Sequence, residues 1–121
     1  MNVALYGATG KPDRYAYMAF SLLREHGHTV FPIHPRLSVI DGVTVYKSLA
    51  EIDAPVHTLT MYIGPSRQEE AAEDILQAPL TRVVFNPGTE NAALQAALEA
   101  RGVTVVEGCT LVMLKTGLWD T

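Results

Sequence analysis

The segment Gly7-Ala8-Thr9-Gly10-Lys11-Pro12-Asp13-Arg14 carries two glycines, a hydroxyl and two cations just after a short apolar run. Glycine lets a backbone turn tightly and approach a ligand with no Cβ in the way. Free N–H groups at the start of a following helix attract an anion. Thr9 adds a hydroxyl donor, and Lys11 and Arg14 add positive charge. The chemistry such a loop supplies is phosphate binding rather than bond-making. The dinucleotide fingerprint is incomplete, because Asp13 stands where its last glycine would fall. A plain tight turn has the same signature, so the loop has to be read with its neighbours.

Three other segments have unusual local chemistry. NAD-binding folds place an acid roughly 20 residues beyond the glycines to hold the ribose hydroxyls. Here that region reads His34-Pro35-Arg36, with no acid before Asp41. A guanidinium in place of a carboxylate suits a phosphorylated ribose, as in NADP or the 3′-phospho-ADP of coenzyme A, because Arg grips phosphate bidentately. His34 can stack or donate a hydrogen bond, or simply end a strand. In Tyr62-Ile63-Gly64-Pro65-Ser66, Ile63 and Pro65 offer an apolar wall for an adenine ring. Asn86-Pro87-Gly88-Thr89-Glu90-Asn91 adds polar groups around a Pro-Gly turn, a pattern that turn formation and helix capping also explain.

These loops need elements to hold them. Strand-length apolar runs are expected at Asn2 to Tyr6, Thr29 to His34, Val56 to Ile63, Arg82 to Phe85 and Val103 to Val106. Amphipathic helices are expected at Tyr15 to His26, from Ser66 to about Gln77, and from about Glu90 to Arg101, with Gly27 and Gly102 as stops. Ser48 to Glu51 and Ser66 to Glu69 read as capping boxes, and Asp41-Gly42 as a turn. Pro32 is awkward inside a strand, since it cannot donate a ladder hydrogen bond. The apolar stretch Leu111 to Leu114, in the tail Gly108 to Thr121, is expected to pack back on the sheet. The alternation predicts an α/β, three-layer Rossmann-like domain: a five-stranded parallel sheet with helices on both faces. The expected strand order is 3-2-1-4-5, which puts the ligand crevice between the first and fourth strands.

With 121 residues, the chain fits one domain. It has nine basic against thirteen acidic residues and no Lys/Arg cluster, which argues against a nucleic-acid partner. No apolar run is long enough to span a bilayer, so no membrane partner and a cytoplasmic location are expected. One cysteine, Cys109, excludes an intrachain disulfide, and the four histidines show no metal-ligand spacing. No nucleophile, base and orienting acid can be assembled, so the reading leans away from an enzyme. Trp119 and the apolar tail suggest surface to spare, and with it a homodimer.

Taken together, the segments resemble the small single-domain CoA-binding protein family. Its fold is similar to the N-terminal CoA-binding domain of the succinyl-CoA synthetase α subunit. The resemblance is carried by residues 3–14, 27–35, 40–49, 86–91 and Gly108-Cys109. It implies that the CoA pyrophosphate sits on Gly7, Thr9, Gly10 and Lys11. Pro35 and Arg36 take the adenosine side, flanked by Ile63 and Pro65. The cofactor set expected from the loops is Gly7, Ala8, Thr9, Gly10, Lys11, Arg14, Pro35, Arg36, Ile63, Pro65, Asn86 and Gly88. Three functions remain open: a non-catalytic or accessory CoA-binding protein, an NADP-binding reductase-like domain, and an interaction protein that keeps the fold without the ligand.

Overall fold

The computed structural model describes residues 1–120. Its elements are β1 (Asn2–Tyr6), α1 (Tyr15–Glu25), β2 (Thr29–Ile33), β3 (Val39–Ile40), β4 (Val43–Thr44), a 3-10 turn (Leu49–Glu51), β5 (Thr58–Met61), α2 (Pro65–Gln77), β6 (Arg82–Phe85), α3 (Ala92–Ala100), β7 (Thr104–Glu107) and α4 (Thr110–Lys115). Five strands form one parallel sheet in the order β2-β1-β5-β6-β7. The Rossmann-like α/β class expected from the sequence is therefore present. No helix among the described residues is long and apolar enough to cross a membrane.

The expected strand order is corrected. In the numbering of the five main strands it is 2-1-3-4-5, not 3-2-1-4-5. Pro32 is the physical reason. Thr29 N–H donates to Met1 O, and Ile33 O accepts from Gly7, so these residues face β1. Pro32 and His34 point the other way: Pro32 O accepts from Tyr46 N–H, and His34 N–H donates to Tyr46 O. The missing proline N–H thus falls on the outer side, as an edge strand tolerates and an interior strand does not. The fully buried Thr58–Met61 strand takes the place beside β1. The reversal of strand order, and the crevice it opens, lies between β1 and β5.

Alternate residues along each strand feed two cores. Ala4, Leu59, Met61, Val83 and Phe85 pack with Ile75 of α2 and Leu94 and Leu98 of α3. Val3, Leu5, Val30 and Val84 pack with Ala19, Phe20 and Leu23 of α1, Leu114 of α4 and Trp119. The tail does pack back, and Trp119 is 1% exposed beneath the Arg82 guanidinium, 4.4 Å from the ring centroid. That removes Trp119 as surface for a second copy; Val112 and Leu118 are the tail's exposed apolar side chains. Thr121 lies outside the described residues.

Neither expected capping box forms. Gly64, not Ser66, is the N-cap of α2, and Pro65 takes the first helical position, where its lack of an N–H costs nothing. Ser48 makes no side-chain cap, and Asp74 of α2 accepts instead from Leu49 N–H at 2.8 Å and Ala50 N–H at 3.1 Å. The same carboxylate accepts from the Tyr6 hydroxyl at 2.9 Å. Burial, and then this bond, push the Tyr6 phenol above its ordinary value. The turn at Asp41-Gly42 is as expected: both have positive φ, 48° and 78°, between the antiparallel β3 and β4.

Candidate functional site

β1 ends at Tyr6 and the chain turns at Gly7, whose φ is +99°. A Cβ there would lie 2.9 Å from both Ile63 Cγ2 and the Tyr62 carbonyl carbon. The two loops that flank the strand-order reversal therefore touch at this point, and only glycine fits. The expected amide cradle needs correction, because Gly7 and Ala8 both donate to Ile33 O, at 3.1 and 3.0 Å. Between Thr9 and Ala16 the backbone donors left open are Thr9, Gly10 and Asp13 N–H, with Tyr15 and Ala16 N–H at the start of α1, where Arg14 makes no side-chain cap. Thr9 Oγ1 accepts from Lys11 N–H at 3.3 Å, which leaves its own hydroxyl proton to donate.

A cleft of about 350 Å³ opens over this turn. It is lined by Gly7, Ala8, Thr9, Lys11, Arg14, Tyr15 and Ala16, and from neighbouring loops by His34, Tyr62 and Arg67. A second cleft of about 220 Å³ shares Gly7 and Arg67, and adds Tyr6, Ile33, Pro35, Lys47, Ile63, Glu70 and Ala71. Five expected residues thus meet in the first cleft, and Pro35 and Ile63 join Gly7 in the second. Gly10 and Arg36 are exposed and line neither. Pro65 faces a groove between α2 and α3.

The fourth loop is mostly architectural. Asn86 is 1% exposed; its amide donates to Thr60 Oγ1 and Met61 O, both at 2.8 Å, and its Oδ1 accepts from Thr110 N–H at 2.8 Å. It rivets α4 to the sheet, although it also borders a third pocket of about 320 Å³ with Tyr15, Tyr62, Pro87, Cys109 and Leu111. Gly88 N–H donates to Glu90 Oε1 at 2.9 Å on an exposed turn. Cys109 is half-buried.

Charge is concentrated at the clefts. Of nine basic residues, Lys11, Arg14, Lys47 and Arg67 line one cleft or the other and Arg36 flanks them, in a chain of net charge −4. Among the described residues the only ion pair within 4.0 Å is His28–Asp120, so none of these five has a carboxylate partner. His34 has its pKa held below the ordinary value, first by burial and then by Arg36 and Arg67. Its Nδ1 accepts from Arg36 and Leu37 N–H, both at 3.0 Å, which leaves Nε2–H as a donor. Burial pushes the Tyr62 phenol up, so it stays protonated.

Sequence reading missed Tyr15, Tyr62, Lys47 and Arg67. Arg67 had a usable signal: it is a cation in the first turn of the helix that follows β5, hidden there by the capping-box pattern. Lys47 had none, because only the tertiary fold brings it beside α2.

The sequence pattern of the CoA binding domain family matches residues 1–115. The chain belongs to this family. An uncharacterized protein of Bacillus subtilis (strain 168) is 25% identical over 105 residues, covering 87% of this chain and 78% of that one. The α subunit of the ADP-forming acetate–CoA ligase II of Pyrococcus furiosus is 33% identical over 67 residues, covering 54% of this chain but 14% of the ligase subunit. A crystal structure of an uncharacterized protein superposes with a TM-score of 0.91 at 39% identity, covering 98% of this CoA-binding domain and 97% of that chain. A dinucleotide-forming acetyl-coenzyme A synthetase of Ca. Korarchaeum cryptofilum, at 17% identity, shares the fold with a TM-score of 0.76 over 88% of this chain and 25% of its own.

Proposed function

We infer that this protein binds coenzyme A in the two adjoining clefts, as a cytoplasmic, accessory CoA-binding protein that does no chemistry of its own. The observation that carries the reading is the set of unpaired cations around the Gly7 turn, at the strand-order reversal of a CoA-binding family member. Diphosphate oxygens accept from Thr9 N–H, the Thr9 hydroxyl and the first amides of α1, while Lys11 and Arg14 balance the charge. Adenosine lies against Pro35 and Ile63 in the second cleft. Together the clefts fall in the size range of small-molecule sites. The family and the ligase relative support coenzyme A and lend no support to NADP.

Isothermal titration with CoA tests this. One saturable site is expected, weakened by salt as screened charge contacts are. Binding weaker than about 1 mM, with no nucleotide retained in native mass spectra of the purified protein, overturns the reading in favour of a fold kept without its ligand.

A further inference from the structure

We propose that Lys47 and Arg67 read the ribose 3′-phosphate, and so set the preference for CoA over 3′-dephospho-CoA. The inference rests on the CoA reading above. The second cleft adjoins the phosphate cleft through Gly7 and Arg67, and apolar side chains (Ile33, Ile63, Ala71) make up much of its lining. A diphosphate on the Gly7 loop with its base among those side chains holds the ribose between them, beside Arg67. Lys47 comes from the segment after β4 and Arg67 from the first turn of α2. Both are exposed, and neither has a carboxylate within 4.0 Å. Glu70 is the only acid lining this cleft, against two cations. Two unpaired cations converging from separate elements on an apolar slot suit a base carrying an extra phosphate.

Arg36, which the sequence alone offers for this grip, lines neither cleft. Lys47 belongs to the second cleft alone, whereas Arg67 stands on the shared wall. The two substitutions therefore have different signatures.

The experiment is titration of the wild type, Lys47→Ala, Arg67→Ala and Arg36→Ala with CoA and with 3′-dephospho-CoA. Wild type is expected to favour CoA. Lys47→Ala should bind CoA about tenfold more weakly, the low end for a charge-assisted hydrogen bond, and leave dephospho-CoA unchanged. Arg67→Ala should weaken both ligands, CoA the more, and Arg36→Ala should alter the ratio least. Wild-type binding of CoA with no preference, or a preference that survives both Lys47→Ala and Arg67→Ala, overturns this assignment and leaves the CoA reading standing. Failure of the wild type to bind either ligand removes that reading itself. All three side chains are exposed, so matching thermal melts of the variants secure the comparison.

Discussion

Replacing Gly7 by Ala tests the contact on which the crevice depends. Two costs add. At φ +99° an L-residue is strained, by about 1–3 kcal/mol for such sparsely populated backbone. The new methyl would also meet Ile63 Cγ2 and the Tyr62 carbonyl carbon at 2.9 Å, and Ile63 N at 3.1 Å. Two of those three atoms are backbone of the loop after β5, so rotating a side chain does not relieve the clash; overpacking of this kind costs about 1–3 kcal/mol. The sum, about 2–6 kcal/mol, is a large share of the roughly 5–15 kcal/mol that holds a domain folded. At roughly 3–6 °C per kcal/mol for a domain of this size, a calorimetric melt should fall by about 6 °C or more, and CoA affinity should fall as the two loops part. Two glycines serve as controls. Gly88 has φ +91° but nothing within 4 Å of a built Cβ, so Gly88→Ala should show only the strain. Gly10 has neither a positive φ nor a neighbour within 4 Å, so Gly10→Ala should be close to neutral. A Gly7→Ala protein that melts and binds like Gly10→Ala would refute the close approach of β1 and β5 loops.

Other outcomes are open to direct measurement. Asp74→Ala removes the acceptor for Tyr6, Leu49 and Ala50 and should cost about 2–3 kcal/mol in urea unfolding, with Asp74→Asn milder. Asn86→Ala breaks two donated bonds and orphans Thr110 N–H; about 2–4 kcal/mol is expected, with α4 amides exchanging faster than those of β5. Lys11→Ala should weaken CoA by about 1–3 kcal/mol and flatten the salt dependence measured by titration. His34 has a folded pKa below its ordinary 6.5, so the unfolded chain takes up the proton first as pH falls. Its stability contribution is whole above 6.5 and is lost as pH drops from there through the folded value. His34→Gln should therefore flatten part of the decline in melting temperature between about pH 7 and about pH 5, with His28, also lowered, as the remaining part.

The alternation of strands and helices was legible because each strand's apolar run and each helix's stripe are local properties. The glycine loop was legible for the same reason, and Gly7, Ala8, Thr9, Lys11 and Arg14 do line one cleft. Strand order differs from the expectation although its signal is in the sequence: Pro32, which has no N–H to donate, disfavours an interior place for β2 and suits the edge it occupies. Contacts that exist only through the fold were out of reach. Asp74 caps a turn 25 residues upstream, and Asn86 spends its polar atoms on Thr60, Met61 and Thr110 rather than on a ligand. His28 carries no local sign of its contacts either: its ring is edge-on to Trp119 at 6.2 Å and its Nδ1 lies 3.0 Å from the N-terminal nitrogen.

The outward face of β2 has one more consequence, for solubility. Tyr46 already occupies the two outward hydrogen-bonding positions that bracket Ile33, Pro32 O and His34 N–H, and Pro32 itself offers no donor. A strand from another molecule arriving there would find its register taken at Pro32 O and His34 N–H and no donor at Pro32 N. From Pro32 onward, this flank of the sheet is closed to edge-to-edge polymerisation by its own chain.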